Sequence, residues 1–466
     1  MSFENEKLKE FDEYIKFRKV AILGLGVSNL PLLDSMYAKK AKVSVFDERD
    51  KTKIPKEILE KIDNYGFKAY FGKNCLDNLK GFDFVFRSPS CLPTRPELQQ
   101  EENRGAIVTT EIEMLMKMCP CKVIGVTGSD GKTTTTSLID AILRKAGYHT
   151  FLGGNIGTPL FTKLPEMTPD DIVVLELSSF QLMGMEISPT ISVITNITPN
   201  HLNIHKDYDE YIEAKKNIFK YQKEDGIVVL NYDNEITRNC AKEVTGKVVF
   251  FSRREKLENG FIVDGKMIKE CEDGVRKHLF DGNEAILRGS HNLENIATAI
   301  AVTKSLVPIE KAVEAIREFK PVEHRIEFVK EIDQVKWYND SMASSPTRTL
   351  SGLNAFDEDI VLIAGGYDKN LDYHPLAKPI VDKVKALLLI GQTSGKIFDV
   401  VKEEAEKQGK DIDIYMCESL AQTVTLAKKL AKKGNVVLFS PASASFDMFK
   451  DFADRGNQFK DLVNHI

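Results

Sequence analysis

Missing from this sequence is any apolar run close to the roughly 18 residues that a membrane span requires. Its amino terminus, Met1-Ser2-Phe3-Glu4-Asn5-Glu6-Lys7, is charged and carries no apolar signal core. A cytoplasmic protein with no membrane insertion is therefore expected. Basic charge is not in excess either, since 64 Lys and Arg stand against 69 Asp and Glu for a net charge of −5. A nucleic-acid partner is not expected, because a phosphate backbone demands a basic face. The seven cysteines are scattered, and Cys119-Pro120-Cys121 has neither zinc-knuckle nor Cys-x-x-Cys redox spacing. Reduced structural thiols follow. Low-complexity tracts and short repeats are absent as well, and 42% hydrophobic residues exclude a disordered chain.

What is present is alternation. Apolar, β-branched runs that end in glycine or polar residues alternate with helical stretches, the pattern of parallel sheets covered by helices. At 466 residues the chain exceeds one ordinary core, and domains of roughly 100–200 residues predict about three. The first block has strands near Val20–Leu23, Val43–Phe46 and Phe84–Phe86 and ends before a helix at Glu111–Lys117. The second opens with Lys122–Thr127, has further strands at Ile172–Leu175 and Ile191–Ile194, and runs to Phe319. Lys320-Pro321 then breaks the chain, and a third block has strands near Ile360–Ala364, Ala386–Ile390 and Val436–Phe439. The expected fold class is α/β in three domains: a Rossmann-like nucleotide-binding domain (1–110), a P-loop ATPase-like domain (111–320) and a second Rossmann-like domain (321–466).

The clearest chemistry sits in the second block. Strand Val123–Val126 runs into Thr127-Gly128-Ser129-Asp130-Gly131-Lys132-Thr133 and then into a helix beginning Thr133-Thr134-Thr135. Gly128 and Gly131 let the backbone turn its N–H groups toward phosphate, Lys132 supplies a cation for the β/γ oxygens, and the Thr133 hydroxyl suits Mg²⁺. Val126 stands where the usual P-loop has its first glycine. The next two strands also end in polar groups, Glu176 and the run Thr195–His201. Loops beyond the carboxyl ends of parallel strands converge, so Glu176, an oxygen ligand for Mg²⁺, and the His201 imidazole are expected near the phosphate loop. In the first block, Gly24-Leu25-Gly26-Val27-Ser28-Asn29 is close to a dinucleotide fingerprint but has Asn29 in place of the third glycine. Asp47, after the second strand, is placed to bond a ribose or base.

Taken in order, these segments resemble the Mur ligase family, ATP-dependent amide-forming enzymes of peptidoglycan stem-peptide assembly, over nearly the whole chain. The loop Thr127–Thr133 is similar to the family's Thr-Gly-Thr-Asn-Gly-Lys-Thr, with Asp130 in place of the common asparagine. Gly153-Gly154-Asn155-Ile156-Gly157, Glu176, Asn196–His201, His291-Asn292-Leu293-Glu294-Asn295 and His324-Arg325 follow in family order. Leu175–Leu182 and Ser440–Asp447 look most like the branch that adds D-glutamate, and no Asp-Asn-Pro-Arg signature of the diaminopimelate branch is present. In Asn339-Asp340-Ser341-Met342-Ala343-Ser344, Met342 replaces a family lysine.

The resemblance implies that ATP phosphorylates the alanyl carboxylate of UDP-N-acetylmuramoyl-L-alanine and that the D-glutamate amine displaces the phosphate, with Mg²⁺ as cofactor and a monomer as the working form. It implies catalytic roles for Lys132, Glu176, His201 and Lys215, the last as a carbamate. Metal ligands would be Thr133, Glu176, His201 and that carbamate. ATP contacts would come from Gly128, Ser129, Asp130, Gly131, Lys132, Thr133, Thr134, Asn292, Asn295, Arg325 and Asp340. The UDP-sugar would meet Ser28, Asp47, Arg49, Asn155 and His201, and D-glutamate would meet Ser344, Lys369, Ser445 and Phe446. Sites spread over three blocks imply domain closure that shields the acyl phosphate from water. The alternatives are another amide ligase of the superfamily (a different Mur ligase or a folylpolyglutamate synthase), a nicotinamide dehydrogenase built on Gly24–Asn29, and a nucleotide-gated binding protein without turnover.

Overall fold

The computed structural model describes residues 3–199 and 204–466. They form two compact units, Met1–Asp281 with Glu294–Ile316, and Gly282–Leu293 with Arg317–Ile466, which together carry three β-sheets. The three-domain α/β expectation is borne out.

In the first sheet, β1 (Lys19–Leu23), β2 (Lys42–Asp47), β3 (Lys68–Phe71), β4 (Phe84–Arg87) and β5 (Ile107–Thr109) lie in the order β3-β2-β1-β4-β5. All its pairings are parallel. Such a sheet is covered on both faces, which is why β1 reads as an unbroken apolar run. Val20 and Ile22 pack with Leu32, Leu33 and Met36 of the helix Leu30–Ala38 on one face. Ala21 and Leu23 pack with Val85 and Leu98 on the other. The edge strands β3 and β5 escape a search for apolar runs because they are only partly buried, whereas β4, equally short, is buried throughout.

The second sheet holds nine strands: β6 (Lys122–Thr127), β7 (Thr150–Gly154), β8 (Ile172–Glu176), β9 (Ile191–Ile194), β10 (Ile227–Asn231), β11 (Lys247–Ser252), β12 (Gly260–Asp264), β13 (Met267–Glu272) and β14 (Val275–Asp281). Their order is β14-β13-β12-β11-β10-β9-β6-β8-β7. β6 lies between β8 and β9, so the connections after it diverge to opposite sides and leave a crevice beyond the carboxyl ends of the three strands, the usual place for a ligand in an open α/β sheet. The antiparallel ladder β12–β14 is a feature that the sequence reading did not contain. Its second turn is Asp273-Gly274, with φ of 48° and 78°, a two-residue loop of the kind that favours tight hairpins.

The third sheet lies in the second unit. It comprises β15 (Glu327–Ile332), β16 (Val335–Asn339), β17 (Ile360–Ala364), β18 (Val384–Ile390), β19 (Asp413–Cys417) and β20 (Val436–Phe439), ordered β15-β16-β20-β17-β18-β19. Only β15 runs antiparallel to its neighbour. Leu362, Leu387, Leu389 and Leu438 face one core and Val361, Ile363, Leu388 and Phe439 the other, and burying a side chain of this size stabilises by about 1.5–3 kcal/mol. Among the described residues no helix is long and apolar enough to cross a membrane.

Candidate active site

The loop between β6 and the helix Lys132–Lys145 is shaped by two glycines. Gly128 has φ 151° and Gly131 φ 80°, conformations that favour glycine. A Cβ at Gly131 would stand 2.6 Å from Asn295 Oδ1, and one at Gly128 would stand 3.1 Å from the Asn196 carbonyl. Gly131 caps the helix without any side-chain hydrogen bond, and the positive end of the helix dipole favours an anion there.

The expectation that the whole loop turns its N–H groups to phosphate is corrected at its first half. Ser129 N donates to Asn196 O at 2.9 Å and Asp130 N to Asn196 Oδ1 at 2.9 Å. The Ser129 hydroxyl is buried between Thr198 O and Tyr211 Oη, each at 2.9 Å. These groups hold the loop in shape, so the Ser129 and Asp130 N–H groups are engaged within the protein. Lys132 folds back over the loop, donating to Gly128 O at 3.0 Å and Ser129 O at 3.1 Å.

Around this loop the structure gathers Glu176, Asn155, Lys215 and Asn295. Glu176, at the end of β8, is 1% exposed. Its Oε1 accepts from Asn155 Nδ2 at 2.8 Å, and its Oε2 is buried with no hydrogen-bond partner. An orphaned carboxylate oxygen is costly unless a ligand completes it. Lys215 lies on the helix Tyr208–Lys220 and is 1% exposed. Its Nζ donates to Gly128 O at 2.8 Å and Thr127 Oγ1 at 3.2 Å and lies 4.8 Å from the centre of the Tyr211 ring. Burial, reinforced by the nearby Lys132 charge, holds the Lys215 ammonium well below the ordinary lysine range, and Asp130 and Glu176 only partly offset this. Asn295 Oδ1 accepts from Thr135 Oγ1 at 3.2 Å, which ties the helix Ser290–Thr303 to the phosphate-loop helix. His201 lies outside the described residues.

A divalent ion fits this donor set. The Thr133 hydroxyl and Glu176 Oε2 are hard oxygen donors, and the orphaned state of Oε2 is what a bound cation would relieve. Lys215 as a free amine offers nothing to a hard cation; as a carbamate it would offer carboxylate oxygens. Among the described residues no cluster of three His, Cys, Asp or Glu could hold a metal unaided.

Three supporting groups were not singled out from sequence. Asn196 straps the loop, accepting from Asp130 N and donating to Asp130 O. His205, buried, bonds Ser179 Oγ at 2.9 Å through Nε2 and stacks on Phe180; burial lowers its basicity, opposed by Glu210. In the second unit Arg455 is 2% exposed and bonds Ser341 Oγ and O, Ser443 O and Ala444 O at 2.7–3.1 Å. Asn196 sits inside a segment already noticed, but nothing in the sequence distinguishes Arg455 from a surface arginine.

At the carboxyl ends of the first sheet, Gly24–Gly26, Asp47, Arg49, Ser88 and Cys91 are among the residues lining a cavity of 410 Å³. Asp47 there accepts from Leu25 N at 2.8 Å and from the Arg49 side chain at 2.7–2.8 Å. Its carboxylate holds the glycine loop and aims Arg49. Ser28 is not among the lining residues.

Within the second unit, Asp340 is enclosed, accepting from Ile326 N at 3.2 Å and Ser440 Oγ at 2.7 Å. Burial pushes its carboxyl up to about 7 against the pull of Ser440 and Arg325. Asn292 Nδ2 donates to Arg288 O at 2.6 Å. Tyr367 N donates to Ala444 O at 2.9 Å, which brings the Gly365–Lys369 loop beside Ser445 and Phe446. Lys369 Nζ sits 5.6 Å from the Phe446 ring centre, a cation beside an exposed aromatic. Ser344 is half-buried after the turn in which its N–H meets Met342 O.

Three family descriptions match consecutive parts of the chain: the Mur ligase MurD-like N-terminal domain over 18–110, the Mur ligase middle domain over 126–303, and the Mur ligase glutamate ligase domain over 324–443. The UDP-N-acetylmuramoylalanine--D-glutamate ligase of Acetivibrio thermocellus is 47% identical over 464 residues, covering 99% of both chains. That of Clostridium novyi is 45% identical over 457 residues, covering 98% of this chain and 99% of its own. Among solved structures, the UDP-N-acetylmuramate-alanine ligase MurC of Thermotoga maritima superposes with TM-score 0.60 at 18% identity, covering 96% of this chain and 99% of its own. MurF of Acinetobacter baumannii superposes with TM-score 0.59 at 15% identity, covering 99% of each.

Proposed function

The chain belongs to the Mur ligase family, and from that premise we propose that it joins D-glutamate to the alanyl carboxylate of UDP-N-acetylmuramoyl-L-alanine at the expense of ATP, as a step in peptidoglycan precursor synthesis. The observation that carries the ligase chemistry is the group at the phosphate loop: an uncapped helix N-terminus, Lys132 folded over the turn, and Glu176 with one oxygen unpaired. Full-length identity of 45–47% to ligases named for D-glutamate supports the choice of acceptor over a different Mur ligase or a folylpolyglutamate synthase. Substrates of this kind place the enzyme in the cytoplasm, and a single chain carries every site it needs. Residues 1–110 serve the UDP-sugar, 111–320 ATP and 321–466 the amino acid.

In the first step a carboxylate oxygen of the alanyl group attacks the γ-phosphorus and ADP leaves. Both reactants are anions, so the step needs fixed positive charge; Gly131, the first-turn N–H groups and Lys132 hold the β and γ oxygens. In the second step the D-glutamate nitrogen attacks the acyl carbon, inorganic phosphate leaves and the nitrogen loses a proton. Lys369, with Ser445, Phe446 and Ser344, would hold a glutamate carboxylate, and Asn155, fixed by Glu176, would orient the sugar-linked alanyl group. Asn292, Asn295, Arg325 and Asp340 would serve the nucleotide, and His201, outside the described residues, would serve the substrate and the metal. Mg²⁺ held by Thr133, Glu176 and the modified Lys215 would supply charge neutralisation for the phosphoryl oxygens.

The Lys215 carbamate has a physical basis in its burial. Carbamate formation requires the free amine, which burial favours over the ammonium: nitrogen bonds the carbon of carbon dioxide, one proton leaves, and the amine becomes an anion. Incubation with ¹³C-bicarbonate should give a carbamate ¹³C signal that Lys215→Ala abolishes along with activity. Full activity of Lys215→Ala would end this assignment. For the reaction itself, phosphate release from ATP should require UDP-N-acetylmuramoyl-L-alanine and D-glutamate together; release with lysine or diaminopimelate but not D-glutamate would overturn it.

A further inference from the structure

A second cavity, of 910 Å³, lies at the amino ends of β1, β2 and β3, the opposite end of the first sheet from the Gly24–Gly26 loop. Five lysines line it: Lys19, Lys42 and Lys68, which begin the three strands, and Lys40 and Lys80 from the connections. No Asp or Glu lines it. Of the carboxylates around it, Asp83 pairs with Arg18, Asp12 with Lys39 and Asp34 with Lys61. Among the described residues none of the five ammonium groups has an ion-pair partner, in a chain whose net charge is −5.

The bland explanation is that these lysines answer the negative ends of the helices Leu30–Ala38 and Lys56–Asn64, which finish here. A helix end carries about half a charge, so two of them balance about one lysine of the five. The remainder leaves net positive charge around the cavity, carried by five exposed lysines. The cavity also has a rigid aromatic wall. Tyr37 and Tyr65 are stacked with centroids 4.0 Å apart and planes within 9°, and Tyr65 Oη is anchored on Asp34 Oδ1 at 2.5 Å. Tyr37 remains 50% exposed, leaving ring surface for a further planar group. The volume lies within the roughly 300–1,000 Å³ typical of small-ligand sites.

We propose that this cavity binds a nucleoside polyphosphate, with its base against the Tyr37–Tyr65 pair and its phosphates among Lys19, Lys40, Lys42, Lys68 and Lys80. The site is separate from the phosphate loop and is independent of the ligase reaction. The test is calorimetric titration of the full-length protein at low salt with the non-hydrolysable ATP analogue AMP-PNP, with tripolyphosphate and a ten-residue oligonucleotide as comparison probes. Two AMP-PNP sites are expected. The second should weaken at least tenfold in Lys42→Glu/Lys68→Glu and several-fold in Tyr37→Ser, while ligation activity and the thermal midpoint stay at the wild-type values. Tripolyphosphate should bind the second site at least fivefold more weakly than AMP-PNP, because it has no ring. A single AMP-PNP site in the wild type, a second site indifferent to both variants, tripolyphosphate binding as tightly as the nucleotide, or tighter binding of the oligonucleotide would each overturn the proposal.

Discussion

Glu111 offers a perturbation whose size and sign both follow from the structure. It opens the helix Glu111–Met118, a position where a carboxylate is usually welcome. Yet it is 3% exposed and sits where Phe161 packs against Phe11 and Phe86. Burial pushes its carboxyl from the ordinary 4.5 up to about 7, only partly opposed by the hydrogen bonds it accepts from Phe161 and Leu160. At about 1.4 kcal/mol for each tenfold change in proton affinity, that gap is worth about 3 kcal/mol. The folded state binds the proton more tightly, so its contribution is complete below pH 4.5 and is lost as pH rises through 7. Glu111→Gln keeps an oxygen to accept from Phe161 N and never ionises. Urea unfolding at pH 5 and pH 8, followed on the first transition, should therefore show wild type losing about 2.5 kcal/mol more than the variant across that interval. The variant should be the more stable protein at pH 8. An equal pH slope in both proteins, or a less stable Glu111→Gln at pH 8, would refute the reasoning.

Other substitutions separate the roles of the remaining groups. Glu176→Gln preserves the acceptor for Asn155 but removes the charge, and should lower kcat by about a hundredfold or more while urea unfolding shows stability retained. Gly128→Ala drives a methyl group toward Thr195 Oγ1 and the Asn196 carbonyl at a φ that alanine disfavours; a rise of at least about tenfold in KM for ATP should follow. Lys369→Met should raise KM for D-glutamate by about tenfold and leave KM for ATP unchanged, the outcome that the proposed role of its ammonium requires. Arg455→Met strips donors from Ser341, Ser443 and Ala444 and should destabilise the second unit by about 3 kcal/mol, read as an earlier second transition in thermal unfolding.

How much of this was legible in sequence depends on whether a signal is local. The phosphate loop was legible because strand, glycine turn and helix are consecutive. The burial of Lys215 was half legible. Lys215 and Lys216 are neighbours of one type, but Tyr211, Ala214, Lys215 and Ile218 repeat at helical spacing and form the buried stripe, while Lys216 turns out to pair with Glu213 and Glu243. Arg455 was not legible, because its partners are carbonyl groups more than ten or more than a hundred residues away. The same holds for Ser129 and Asp130, whose N–H groups were assigned to phosphate. Whether a loop N–H faces outward or toward Asn196 depends on a side chain some 66 residues on.

The two energetic anomalies at the phosphate loop have one common resolution. Glu176 Oε2 is a buried acceptor with nothing to accept from, and Lys215 is a buried amine crowded by a second lysine. The unsatisfied Glu176 oxygen alone costs about 1–3 kcal/mol. A direct pairing of the two would cure both, yet Lys215 donates to Gly128 O and Thr127 Oγ1 instead. A cation beside Glu176 answers the first anomaly but gains no oxygen ligand from Lys215 while Lys215 remains an amine. Conversion of that amine to an anion gives the cation a second oxygen donor. On this reasoning bicarbonate and Mg²⁺ should bind cooperatively: each should tighten the apparent affinity for the other in the wild type, and in Glu176→Gln that mutual tightening should vanish. Independent binding in the wild type would show that the two groups do not share a ligand.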